Sequence, residues 1–125
     1  MTKIDAFKET MIAGYTCKGE YITVGGAVYE GQPLEKVYVN IPLKTLNRHG
    51  LIAGATGTGK TKSLQVMAEH LSKKGVPVLL MDLKGDLSGI GESGEVKPFI
   101  LERLGKIGLD FQPQAFPTEL LTISE

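Results

Sequence analysis

Hydrophobic positions in this chain change their spacing as the sequence is followed from the N-terminus. Ile4, Phe7 and Met11 recur at helical spacing, which predicts a short helix within residues 1–18. Residues 20–41, EYITVGGAVYEGQPLEKVYVNI, alternate in strand fashion. Ile22 and Val24 fall on one face of a strand, as do Val37, Val39 and Ile41 on another. Gly25-Gly26 lies between Val24 and Ala27, and glycine tolerates positive φ, so a tight hairpin turn is expected there. This stretch reads as a small antiparallel unit.

The spacing changes again after residue 50. Leu51-Ile52-Ala53 is a short apolar run, strand-like, that ends at a glycine-rich loop. A helix is expected from Lys60, with Leu64, Met67, Ala68 and Leu71 on its apolar face and Lys62, Gln65, Glu69 and Lys73 opposite. Lys73 and Lys74 suit the negative end of the helix dipole, and Gly75 followed by Pro77 stops it. Val76 to Met81 is continuously apolar, the pattern of a parallel strand covered on both faces. Strand, loop, helix and strand in this order predict a βαβ unit with a right-handed crossover.

Beyond it, residues 82–96, DLKGDLSGIGESGEV, read as a loop. Pro98 sits where a helix can begin; Ile100, Leu101 and Leu104 supply its buried face, and Gly105 is expected to end it. Residues 111–116 and 120–124 are short strand candidates. No internal repeat interrupts this order.

Composition narrows the class without naming it. A chain of 125 residues, 42% hydrophobic and 22% charged, suits an ordinary globular domain. Fourteen basic residues balance fourteen acidic ones, so the electrostatic footprint of a strongly basic nucleic-acid binder is missing. Cys17 is the only cysteine, which excludes an intramolecular disulfide; it reads as a small, reduced, partly buried residue. The N-terminus MTKIDAFKET lacks the apolar segment of a signal peptide, and no apolar run reaches a membrane span, so a cytoplasmic location and no membrane partner are expected.

The stretch HGLIAGATGTGKTKS, residues 49–63, carries the chemistry. Gly54-Ala55-Thr56-Gly57-Thr58-Gly59-Lys60-Thr61 matches G-x-x-x-x-G-K-[ST] in full. A triphosphate is highly anionic, so a loop that holds it must curl and aim backbone N–H groups inward. Gly57 and Gly59 permit that curl without Cβ clashes. Lys60 then reaches the β- and γ-phosphates as the candidate catalytic residue, Thr61 supplies a hydroxyl to Mg²⁺, and Lys62 completes the candidate nucleotide-binding set. From this chain's own residue frequencies, roughly 0.02 chance matches are expected. The flanking apolar run and amphipathic helix make an incidental glycine turn a poor explanation.

Two readings of Asp82 stay open. Its place after an apolar strand suits a direct or water-mediated contact with the nucleotide's Mg²⁺, and equally suits holding the Lys84–Gly91 turn. Asp86 reads as a turn cap. His49 is expected to pack or hydrogen-bond, and His70 to be solvated on the polar helix face.

Taken together, NRHGLIAGATGTGKTKSLQ and VPVLLMDLKGDLSGIGESGE resemble the HerA-like helicase and translocase ATPases of the HerA/FtsK group, closest to an uncharacterised bacterial branch. The hairpin segment also looks like the start of those proteins, so the resemblance spans nearly the whole chain. It implies an α/β fold, an ASCE-type P-loop NTPase core with parallel strands, here partial and preceded by a small antiparallel β-hairpin unit. Residues 1–45 would be an N-terminal segment with the hairpin, and 46–125 the first part of the ATPase domain. ATP and Mg²⁺ as cofactors, DNA as a partner and a homo-oligomeric ring are likewise implied by the resemblance.

The chain departs widely from the family's pattern. No apolar run after residue 82 ends in Asp-Glu, and no sensor or arginine finger is recognisable. Little hydrolysis by this chain alone is therefore expected, because phosphoryl transfer depends on such groups. Three rival readings remain, and the first, a small-molecule kinase, has no substrate-binding acid or arginine cluster to support it. A partitioning ATPase of the ParA/MinD group would carry an extra lysine where Ala55 stands, and a non-catalytic interaction module would leave the loop without nucleotide.

Overall fold

A computed structural model describes residues 1–122. The chain divides into two compact units, Met1–Leu51 with Val96–Phe111, and Ile52–Glu95 with the segment from Gln112 onward.

The first unit is built on a hairpin. α1 (Lys3–Tyr15) opens with a capping box: the Thr2 N–H donates to the Asp5 carboxylate at 3.0 Å, and the Asp5 N–H donates to the Thr2 hydroxyl at 3.2 Å. Ile4, Phe7 and Met11 lie on one face, as their spacing predicts, and pack on a buried cluster of Ala27, Leu34 and Val37. The Phe7 and Tyr29 rings meet with centroids 5.1 Å apart.

β1 (Tyr21–Tyr29) and β2 (Gln32–Pro42) pair antiparallel, from Tyr21 opposite Pro42 to Tyr29 opposite Gln32. The turn therefore falls on Glu30-Gly31 and not on Gly25-Gly26. Both turn residues have positive φ, 47° and 79°, the requirement of a two-residue type I′ connection. Gly25 and Gly26 continue the strand opposite Val39 and Tyr38. The reason for a bare Gly26 is packing: a Cβ there would lie 2.8 Å from the Ile107 Cγ2. Register shifts on either side of these glycines explain why the buried residues, Ile22 and Ala27 on β1, Leu34 and Val37 on β2, do not keep strict alternation.

α2 (Lys60–Lys73) belongs to the second unit, and α3 (Pro98–Ile107) to the first. α3 begins at Pro98, as the sequence predicts, but runs through Gly105 and stops at Gly108. Gly105 keeps a right-handed conformation, whereas Gly108 has φ 75°, and the Leu109 N–H donates to the Leu104 carbonyl at 2.9 Å. Ile100, Leu104 and Ile107 form its half-buried face, while Leu101 is exposed. The Tyr38 hydroxyl donates to the Gly108 carbonyl at 2.9 Å, fastening the end of α3 to β2.

In the second unit α2 ends in a Schellman closure. The Val76 N–H donates to the Leu71 carbonyl and the Gly75 N–H to that of Ser72, with Gly75 at φ 74°. The expected parallel core does not form. Among the described residues the one sheet is the β1–β2 hairpin, and neither 51–53 nor 76–81 is a strand. The physical reason is coverage. A parallel strand is stable when both edges are paired and both faces buried, whereas here Leu51, Leu79 and Met81 are 90%, 82% and 84% exposed. Residues 111–116 and 120–122 are also not strands; 123 and 124 lie outside the described residues. Phe116 is nevertheless buried, with its N–H donating to the Ile90 carbonyl at 3.2 Å and the Lys73 ammonium 5.6 Å above its ring.

Candidate nucleotide-binding site

The glycine-rich loop owes its shape to two left-handed residues and one shared acceptor. Gly57 and Gly59 have φ 80° and 95°, values that residues with a Cβ rarely adopt, so the curl expected from sequence is present. Gly59 is the N-cap of α2 and brings no side chain to cap it. The first-turn N–H groups of α2 have no intrahelical acceptor, and the helix dipole adds partial positive charge at this end.

Three donors meet at the Ala55 carbonyl. The Thr58 hydroxyl donates at 2.7 Å, the Lys60 ammonium at 2.8 Å and the Thr58 N–H at 3.4 Å. The ammonium is thereby folded over the loop, near the uncapped end of α2. Residues 54 to 59 are exposed, Lys60 is half-buried, and Thr61 and Lys62 are exposed on the first turn of the helix. The loop residues singled out from sequence thus lie together on an exposed stretch that carries the Lys60 and Lys62 side chains and the Thr61 hydroxyl.

This donor set fits an anionic phosphate chain. Mg²⁺ at a nucleotide needs only one or two protein oxygens besides phosphate and water, and the exposed Thr61 hydroxyl on the first turn of α2 is the candidate for one. No group of three or more His, Cys, Asp or Glu side chains comes together among the described residues.

Asp82 accepts from three backbone N–H groups. One carboxylate oxygen accepts from the Lys84 and Gly85 N–H groups at 3.1 and 2.8 Å, and the other from that of Leu87 at 2.8 Å. These backbone donors, the Leu87 N–H foremost, hold its carboxyl below the usual carboxylate range. Of the two readings left open by sequence, the geometry matches the one in which Asp82 folds the turn.

Sequence reading misplaced two residues of α2: Leu64 of the expected apolar face is exposed, and Gln65 is buried. Assigned to the polar face of α2, Gln65 is 7% exposed, and its side-chain amide donates to the Asp86 carbonyl at 3.0 Å. The α2 that begins at the loop is therefore tied to the Asp82 turn. Its i, i+3 relation to buried Ala68 was the available clue. His49 is exposed and His70 half-buried. Cys17 is half-buried, as expected, with its thiol donating to the Tyr15 carbonyl at 3.6 Å.

The model of the helicase HerA-like C-terminal domain matches residues 28–125, from the second half of β1 to the last residue. The chain belongs to the HerA-like helicase family. Its loop, α2 and the Asp82 turn all fall inside the matched span. No curated protein and no solved structure gives a significant match. No helix among the described residues is long and apolar enough to cross a membrane.

Proposed function

We propose that this HerA-like chain is the nucleotide-holding part of a DNA-translocating ATPase, corresponding to the opening portion of its P-loop ATPase domain. The observation that carries the reading is the folded loop itself: Gly57 and Gly59 left-handed, and Lys60 laid across the Ala55 carbonyl beside the uncapped N-terminus of α2. In this reading, residues Gly54 to Lys62 surround the phosphates with N–H groups, and Lys60 contacts the β- and γ-phosphates. The Thr61 hydroxyl joins Mg²⁺, while Asp82 shapes the neighbouring turn. Bound ATP supplies the phosphoryl group; the chain's own residues orient it and neutralise its charge.

The 125 residues include no apolar strand ending in Asp-Glu to polarise a water and no recognisable arginine finger. Turnover by this chain alone is therefore expected below about 1 s⁻¹. DNA as partner and a ring of identical subunits belong to the same reading by family analogy, with neutral net charge adding nothing for DNA.

Isothermal titration with Mg-ATP tests the reading. Saturable binding is expected for the wild type, and Lys60→Ala should abolish it. Absence of binding by the wild-type chain would overturn the proposal in favour of an interaction module.

A further inference from the structure

The Ala55 carbonyl sits at the centre of the loop, and its two short bonds come from different side chains. We propose that the Thr58 hydroxyl is a positioning strap: it fixes the Ala55 peptide plane, and that plane in turn seats the Lys60 ammonium for phosphate. This rests on the nucleotide-binding reading above and deepens it.

The distances give the strap its weight. The Thr58 N–H reaches the carbonyl only at 3.4 Å, near the limit of a hydrogen bond, whereas the hydroxyl does so at 2.7 Å. Without the hydroxyl, the only bond from within the loop to that carbonyl is the long one, and the acceptor that receives the flexible Lys60 side chain at 2.8 Å can rotate away. Residues 54–59 are all exposed, so burial does little to hold the loop instead.

The same strap accounts for the glycine at position 54. A Cβ added there would lie 2.6 Å from the Thr58 Oγ1, but 3.5 Å from its Cβ and 3.6 Å from the Lys60 Cγ. Only the hydroxyl is in the way. Gly54→Ala should therefore act by turning the Thr58 side chain off the carbonyl, not by distorting the backbone. Gly54 is not among the residues with positive φ, so conformational freedom does not explain it.

A four-member cycle tests this: wild type, Gly54→Ala, Thr58→Ala and the double variant, with Thr58→Ser as rescue. Mg-ATP affinity by titration should fall about five-fold in each single variant, the size of one lost neutral hydrogen bond. The double variant should be no weaker than Thr58→Ala, because alanine at 58 removes the atom that alanine at 54 would displace. Thr58→Ser should bind like the wild type. In the nucleotide-free protein, the Ala55 carbonyl ¹³C resonance should shift in both single variants and stay in place in Thr58→Ser. Additive losses in the double variant, unchanged affinity in Thr58→Ala, or an unmoved Ala55 resonance would each overturn the strap. Failure of the wild type to bind would instead remove the nucleotide reading, and the resonance would still decide whether the strap exists.

Discussion

The two units solve the same problem, satisfying apolar strand-like sequence, with opposite results. In the hairpin unit, β1 and β2 are adjacent in sequence and joined by two turn residues, so each strand finds its partner locally. α1 and α3 then cover the bulged sheet, and Ala27, Leu34 and Val37 become a closed cluster. In the loop unit, the apolar run 76–81 is suited to a parallel ladder, whose partners come only from distant sequence and whose faces both need covering. There Leu79 and Met81 stay in solvent, and the buried residues of the unit, Gln65, Ala68, Leu87 and Phe116, include none from the 76–81 run. Local pairing completes a core from a short chain; non-local pairing does not.

The contrast is broken most directly by truncating one leucine in each unit. Leu34→Ala, at a site 5% exposed, should destabilise the hairpin unit by about 2–5 kcal/mol in denaturant unfolding. Leu79→Ala, at a site 82% exposed, should change stability by about 0.5 kcal/mol or less. Equal effects would mean that the 76–81 run is packed after all.

A smaller loss is expected from Gly26→Ala. The new methyl would meet both the Cγ2 and the Cβ of Ile107, at 2.8 and 3.0 Å, and the Cβ cannot swing aside. Overpacking of this kind costs about 1–3 kcal/mol, and Ile107→Ala should restore part of it.

The loop unit has its own acid-sensitive contact, with a still smaller effect. Asp82 is held below its ordinary value of 3.8 in the folded chain, so the unfolded state binds the proton more readily. Its stabilising contribution is present above pH 3.8 and is lost as the pH falls through the lower folded value. Amide exchange at Gly85 and Leu87 should accelerate over that acid window in the wild type. In Asp82→Asn, exchange should already be fast at neutral pH and show no matching acid step.

Sequence was most informative where one residue type has few uses. The P-loop pattern, the helix from Lys60 and its stop at Gly75-Val76-Pro77 were legible because left-handed glycines and helical spacing leave few alternatives. The hairpin was legible as a pair of strands but not in its turn. Gly25-Gly26 carries a turn signal locally, and only Ile107, 81 positions from Gly26, shows that bare backbone serves packing there. Gly105 misled for the related reason that glycine inside a helix and glycine after one look alike until Gly108 takes the positive φ. Gln65 was assigned by polarity, but burial became affordable once its amide found the Asp86 carbonyl. The parallel strands were inferred from apolarity, which states what a segment requires and not whether neighbours supply it.

The bond from the Tyr38 hydroxyl to the Gly108 carbonyl joins residues 70 apart, with the entire glycine-rich loop between them. On a ribosome that interval lasts roughly 4 to 14 s at ordinary elongation rates. The hairpin and α1 emerge first, and the bare seat at Gly26 waits through that interval for Ile107 to be made. Nascent protein therefore passes through a stage in which the glycine-rich loop has been synthesised while the helix that finishes the hairpin unit has not.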